Sequence, residues 1–439
     1  MIRRTAALAS LLLLLAGCGE EEMLPPPAPP TLAEGAPVSF HEVYASGTNA
    51  LLGGREWIPV DLAEGTDDQL WVIQRLERSA MFDDETECTS RANAGSPHDC
   101  GGLEGSTVAI ANPTMPEMAD DVNGRANMVV DANSWHFMRR PSGIAFGVEE
   151  TTLPGTNEGA LDPMTGAPLA GAGTTFSDIF ATCAEHWTGN FTDGAPFMGP
   201  SLWTAEPSIY NGVNGTESWS NGSHLDMVHA TQYCMGIAWE QGNAYWVFNG
   251  EFGILDRYDF AAPHFQGHSY HDDAIVTRYE LADTLTRAVD VPSNMMMSGT
   301  DLYIADSGGG RVVRFDTAAP TTVFGTFLTH ESLTGEVREG GVLVPVASRE
   351  VLAAEWGAVV EPSGLAFLDE YLVVGNHGSG HITLFGMDGT VVRTIDTGLG
   401  AGLAGLTVAD GTIFFTHMGT RRVYRVQVDV PAVAPGEEG

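Results

Sequence analysis

The phrase PSGIAF (Pro141–Phe146) returns as CMGIAW (Cys234–Trp239) and again as PSGLAF (Pro362–Phe367). Strand-like runs follow and stop at turn residues: YWVFN at Asn249, LYIAD at Asp306 and LVVGN at Asn376. Internal repetition on this scale sets an architecture before any single residue is weighed, because each unit buries its apolar face only against its neighbours.

Aligned on the central glycine, the chain yields six units. They are Ile58–Phe82 with QLWVIQ as its second strand, one starting at Pro141, one starting at Met235, then Pro292–Asp316, Pro362–Asp388 and Ala404–Val428. Gly364 and Gly405 are 41 residues apart, the length of a four-stranded blade. The earlier spacings of 93, 58 and 70 residues are longer. The excess falls in Thr151–Leu225, Ala261–Asp273 and Thr317–Val360, which read as loops. Abundant glycine and proline and β-branched runs between Gly, Asp and Asn indicate antiparallel strands. One short helix is expected, with Ser348 as N-cap and Arg349–Trp356 as its body.

The pattern PSG[IL]AF, followed by LYIADSGGGRVVRF around Asp306–Arg311, resembles the NHL repeat of β-propellers. The resemblance covers about half the chain in six pieces and implies an all-β, six-bladed β-propeller with long loop insertions. It says little about activity, since function lives in sites grafted on such folds.

The N-terminus carries Arg3 and Arg4, a short apolar run Leu8–Ala16, and Leu15-Ala16-Gly17-Cys18, which resembles a bacterial lipobox. The run is too short to span a bilayer. Residues 1–17 are therefore expected to be a lipoprotein signal peptide and Cys18 the lipidated N-terminus. Gly19, in place of an aspartate, favours the outer membrane, on its periplasmic face or at the cell surface. Residues 18–36, acidic and then proline-rich, read as a tether. The single propeller domain is expected over 37–430, with a disordered acidic tail over 431–439. The membrane is expected to be met through the lipid alone, and the protein to be a monomer.

The chain holds 57 acidic and 20 basic residues, and every basic residue is an arginine. A field this negative repels phosphate backbones, so nucleic acid is not an expected partner. The absence of lysine excludes Schiff-base and lysine-base chemistry. Apart from Cys18, the cysteines are Cys88, Cys100, Cys183 and Cys234. An exported chain with four cysteines suggests two disulfides, with Cys88–Cys100 the natural local pair and Cys183–Cys234 left to tie the long insertion to a repeat, although three pairings exist.

In a propeller, the loop before a blade's first strand and the loop after its second lie on the same face, beside the axis. His136 and His229 stand seven residues before Gly143 and Gly236, in that leading position. Asn249, Asp306, Asn376, His377 and His417 lie at or beside second-strand ends. Imidazoles with an oxygen donor suit a divalent metal such as zinc, and calcium is the alternative in an acidic chain. The constellation resembles that of the peptidyl-hydroxyglycine amide lyases, which implies a metal held by His136 and His229, with His377 or His417 as further ligands. A second histidine-rich stretch, His264, His268, His271, Asp272 and Asp273, lies between the third and fourth strands of the third blade and so belongs on the opposite face.

Gly400-x-Gly402-x-x-Gly405 has the spacing of a dinucleotide loop, but it leads into a strand, so no nucleotide cofactor is expected. Trp187, Trp203 and Trp219 in the long insertion either stack on a ligand or form a satellite cluster that holds the loop. Two functional readings follow. One is an envelope-anchored module that binds an envelope or extracellular ligand, with a divalent metal near the central channel. The other is a metal-dependent lyase or hydrolase using His136 and His229.

Overall fold

The computed structural model describes residues 40–49, 55–65, 68–77, 105–114, 125–129, 131, 134, 138–152, 175–187, 198–210, 222–263, 267, 274–281, 283–325, 339–345, 349–351 and 359–428. Cys18, Cys88, Cys100, His136, Trp219, His264, His268, His271, Asp272 and Asp273 lie outside the described residues.

The chain opens with β1 (Phe40–Ala45) and β2 (Thr48–Asn49). Blade 1 follows as β3 (Arg55–Glu64), β4 (Gln69–Leu76), β5 (Gly105–Ala111) and β6 (Ala126–Val129), with β2 paired to the inner side of β3. Blade 2 is β7 (Pro141–Phe146), β10 (Ile179–Ala184), β11 (Ser201–Thr204) and β12 (Asp226–Met227). Its connections carry a ribbon of β8 (Thr151–Thr152) and β9 (Thr175–Phe176) and the short helix α1 (Pro207–Tyr210). Blade 3 is β13 (Cys234–Gln241), β14 (Ala244–Asn249), β15 (Ile254–Asp259) and β16 (Ile275–Tyr279). Blade 4 is β17 (Met295–Ser298), β18 (Asp301–Asp306), β19 (Arg311–Asp316) and β22 (Arg349–Val351). Its insertion, β20 (Thr321–Gly325) and β21 (Glu339–Pro345), reaches back so that β21 lies parallel to β16 on the outer edge of blade 3. Blade 5 is β23 (Pro362–Leu368), β24 (Tyr371–Asn376), β25 (His381–Phe385) and β26 (Val391–Asp396). Blade 6 is β27 (Leu403–Ala409), β28 (Thr412–His417) and β29 (Arg422–Gln427), and its outermost strand is β1.

Neighbouring inner strands touch in the order β3, β7, β13, β17, β23, β27 and back to β3, so the six-bladed propeller is closed. The N-terminal strand seals it. β1 runs antiparallel to β29 from Phe40 opposite Val426 to Ala45 opposite Arg422, and the Phe40 ring meets Phe415 edge-on at 5.8 Å. Among the described residues six apolar clusters lie one at each blade interface. Between blades 1 and 2, for example, Trp71, Phe146 and Phe180 pack with ring centroids 5.2–5.8 Å apart. Each buried side chain of this size contributes roughly 1.5–3 kcal/mol.

The repeated phrase has a physical reason. In blades 3, 5 and 6 the pairing of inner and second strands skips from Cys234 to Ile237, from Pro362 to Leu365 and from Leu403 to Leu406. The dipeptide ending in glycine is a β-bulge, two residues opposing one. The glycine is needed because the next blade lies against it. A Cβ on Gly236 would stand 1.8 Å from the Ser293 carbonyl oxygen, and one on Gly405 would stand 2.4 Å from Asp61 Oδ1. The serine beside the glycine joins blades. Ser142 donates to the Cys234 carbonyl at 2.5 Å, and Ser363 donates to the Leu403 carbonyl at 2.9 Å. Ser293 meets Ser307 at 2.8 Å, and Ser307 lies 2.6 Å from the Pro362 carbonyl.

Three expectations need correction. Thr151–Leu225 is not an insertion outside the barrel, because it supplies β10 and β11, the second and third strands of blade 2. Trp203 is accordingly core, with its indole N–H donating to Thr182 at 2.9 Å. Residues 349–351 are strand, not helix: β19 needs an outer partner, and Val351 takes the place opposite Val313. Residues 352–356 of that expected helix lie outside the described residues. Finally, blade 6 does not complete itself within Ala404–Val428 but borrows β1.

The Cys183–Cys234 disulfide is present, with Cα atoms 5.4 Å apart. It ties the second strand of blade 2 to the first strand of blade 3. For a separation of 51 residues the chain-entropy model assigns such a link about 4 kcal/mol.

Gly405→Ala is expected to destabilise the protein by about 1–3 kcal/mol, the cost of overpacking. Urea unfolding followed by circular dichroism measures it. An unchanged midpoint would mean that the axis has room to spare.

Candidate functional site

Pro59 faces Gln74 just as Pro362 faces Asn376, which puts Asp61 at the glycine position of blade 1. Asp61 is buried at the axis. Its Oδ2 accepts the Ile144 N–H at 2.9 Å. Its Oδ1 accepts the Leu62 N–H at 2.8 Å and the Asn294 side-chain amide at 2.6 Å. Asn294 is the glycine-position residue of blade 4, directly across the ring, so the pair crosses the axis. Burial pushes the Asp61 carboxyl up to about 7, against the pull of the three N–H donors. The side-chain Oδ1 of Asn294 is buried without a partner among the described residues.

Above this bridge, on the face where first strands begin and second strands end, charged side chains converge from several blades. Arg75 lies in the last residues of β4, opposite Ile58, Glu185 follows β10, and Arg140 precedes β7. Arg287 and Asp290 come from the link between β16 and β17. Arg75 Nη1 donates to Glu185 Oε2 at 3.2 Å, and its Nη2 donates to the Asp290 carbonyl at 2.7 Å. Glu185 Oε1 accepts the Asp290 N–H at 3.0 Å. Arg140 is bonded to the Asp290 carboxylate and stands 3.6 Å from Glu185. Arg287 lies 3.5 Å from Glu185 and is centred 3.8 Å over the Tyr233 ring, which in turn packs against Trp187 at 6.2 Å. Burial opposes the charge on Arg75, and Glu185 supports it. Three guanidiniums converge here on Glu185 and Asp290, with the Glu361 carboxylate close enough to act on His377 alongside Arg75 and Asp290, in a chain of formal net charge −37.

The backbone around this mouth is strained. Arg140, Tyr233, Asp290 and Glu361, each in the lead-in to an inner strand, have φ of 53°, 49°, 70° and 50°. Left-handed conformations in residues with a Cβ cost about 1–3 kcal/mol each and cluster at functional sites.

The two described axial histidines take opposite roles. Nδ1 of His377 lies 2.9 Å from the Leu403 carbonyl, which can only accept, so this nitrogen carries the proton and Nε2 keeps a lone pair. Nδ1 of His417 accepts the Thr420 N–H at 3.1 Å, so its proton is on Nε2, 3.2 Å from the Gly400 carbonyl. Burial lowers the pKa of both, and each is held neutral at neutral pH. His417 thus has both nitrogens engaged, whereas His377 has one nitrogen without a partner among the described residues. His229 is buried, and the chain around it runs beside residues 198–200 ahead of β11, where the neighbouring Thr231 N–H bonds the Met198 carbonyl. Among the described residues no group of three His, Cys, Asp or Glu side chains could hold a metal ion.

Asn249, Asp306 and Asn376 do end second strands on this face, but their side chains serve the turns. Asn249 bonds Asp256 at 2.8 Å, Asp306 bonds Arg311 at 2.6 Å, and Asn376 accepts the Val360 N–H at 3.0 Å. Sequence reading missed Asp61, Arg75, Arg140, Glu185, Arg287 and Asp290. The signal for Glu185 was hidden because β10 sits inside what reads as a loop. Asp61 could have been found by aligning the bulge in blade 1.

Asp61 makes stability depend on pH with a defined sign. Its folded pKa is raised from 3.8 to about 7, so the folded state holds the proton more tightly. The contribution is fully present below about pH 4 and is lost as pH rises to about 7, by on the order of 4 kcal/mol at most. Asp61→Asn is expected to remove this slope while adding a constant offset. Urea midpoints of both proteins between pH 4 and 8 measure it, and parallel curves would contradict the assignment.

No protein-family model matches this chain, and neither does any curated protein. Solved structures show similarity in chain course only. A protein of unknown function from Bacteroides thetaiotaomicron is 8% identical with a TM-score of 0.46, over 89% of this chain and 76% of that one. An auxiliary nutrient binding protein from the same organism is 10% identical with a TM-score of 0.45, over 84% and 68%. A virginiamycin B lyase from Staphylococcus aureus is 9% identical with a TM-score of 0.36, over 89% and 100%.

Proposed function

We propose that this protein is a ligand-binding module of the bacterial envelope, tethered through Cys18, whose ligand seats on the axial mouth of the propeller. One observation carries the reading. Arg140, Tyr233, Asp290 and Glu361 hold strained left-handed backbones around a mouth where three arginines converge in an acidic chain. The tether rests on the Leu15–Cys18 motif.

The test is native mass spectrometry of the full chain after incubation with a small-molecule extract of culture medium. A discrete adduct on the wild type, lost from the Arg140→Ala plus Arg287→Ala variant, is the expected outcome. An adduct retained by that variant, or no adduct on either protein, contradicts the reading.

The second reading, a metal-dependent lyase or hydrolase on His136 and His229, draws support from His377, whose Nε2 lone pair is unspent beside the mouth. A metal there would polarise a substrate oxygen or activate water. Elemental analysis of the purified protein separates the two. A stoichiometric metal that disappears on His136→Ala plus His229→Ala favours the enzyme; metal-free protein that keeps its adduct favours the binding module.

A further inference from the structure

We infer that the ligand of this mouth carries a carboxylate with an apolar group beside it. The inference rests on the axial-mouth reading above and names the chemistry of the ligand.

The anion follows from unspent donors. Arg287 meets an acid only at 3.5 Å, through Nη1 and Glu185, and its guanidinium is held flat over Tyr233. Its remaining N–H groups have no acceptor among the described residues. Arg140 commits Nη2 to Asp290 and Glu185 and leaves Nε and Nη1 without one. A planar guanidinium fixed by stacking presents parallel N–H groups that match a two-oxygen anion. The charge balance selects a monoanion. Glu185, Asp290 and Glu361 already match the three guanidiniums in charge, so a single carboxylate meets less repulsion here than a phosphate dianion would.

The apolar part follows from the rim. Val289 and Val360 are 57% and 50% exposed. Val289 adjoins Asp290, and Val360 precedes Glu361, whose carbonyl accepts the His377 N–H. Exposed valines next to Asp290 and Glu361, on the same face as the guanidiniums, supply the apolar half of a seat for an amphipathic acid. Both a free aliphatic acid and the C-terminal residue of a peptide have this chemistry.

Calorimetric titration of the full chain with N-acetyl-leucine, its neutral amide and hexanoate tests the inference, with hydrogen exchange locating each probe. N-acetyl-leucine is expected to bind at least tenfold more tightly than its amide. Arg287→Ala should remove that preference, and Arg287→Gln should do the same without loss of folding. Val289→Ser, a change at an exposed position, should weaken hexanoate several-fold. Binding of hexanoate but not N-acetyl-leucine points to free acids, and the converse to peptide ends; either supports the inference. Equal binding of acid and amide, an acid preference that survives both Arg287 variants, or no binding of any probe overturns it. Equal binding with protection at residues 233–234 and 287–290 would overturn the carboxylate but leave the mouth as the seat. Protection confined elsewhere would overturn the mouth reading itself.

Discussion

The whole ring depends on how closely consecutive inner strands approach at the axis. Four of the six glycine-position residues are glycine, and at Gly236 and Gly405 a single added carbon would collide with the next blade. The serines beside Gly143 and Gly364, and Ser307 after the second strand of blade 4, turn this proximity into hydrogen bonds, each crossing from one blade to the carbonyl that starts the next. Six apolar clusters fill the interfaces further out. They stabilise the blades against each other, but the axial contacts set the spacing to which those clusters pack.

The two remaining glycine positions hold Asp61 and Asn294, and they change what the centre does. Glycines leave space, and these two side chains meet across it. Their bridge closes the axis below the mouth with a buried carboxyl whose charge is costly. Polar chemistry is thereby confined to the face above, where second strands end and lead-in loops turn. Loops on a rigid ring are the usual place for function because they vary without disturbing the scaffold. The strained backbones there fit a mouth whose side-chain directions matter more than local comfort.

Much of the fold was legible in the sequence because the repeat is a backbone requirement. Gly143, Gly236, Gly364 and Gly405 recur wherever inner strands crowd the axis, and the runs ending at Asn249, Asp306 and Asn376 are the second strands. What escaped was long-range. β10 and β11 sit inside a stretch rich in Gly, Asn and Pro, where local composition argues for loop and only the edge of β7 makes them strand. β1 gives no sign on its own that it will complete a blade whose other strands begin at Leu403. The candidate site suffered more. His377 was visible beside a strand end, but Arg75 and Glu185 occupy the corresponding place in the two blades whose registers were hardest to read.

The sequence by itself determined the periodic elements: strands that alternate, glycines where no side chain fits, and two cysteines able to link neighbouring blades. These are local properties, written in residue type and spacing. Only the tertiary structure decided which residues share the mouth. Arg75, Arg140, Glu185 and Asp290 are spread over more than two hundred residues of chain and meet because the ring closes. Convergence of this kind is a consequence of closure, and no stretch of sequence contains it.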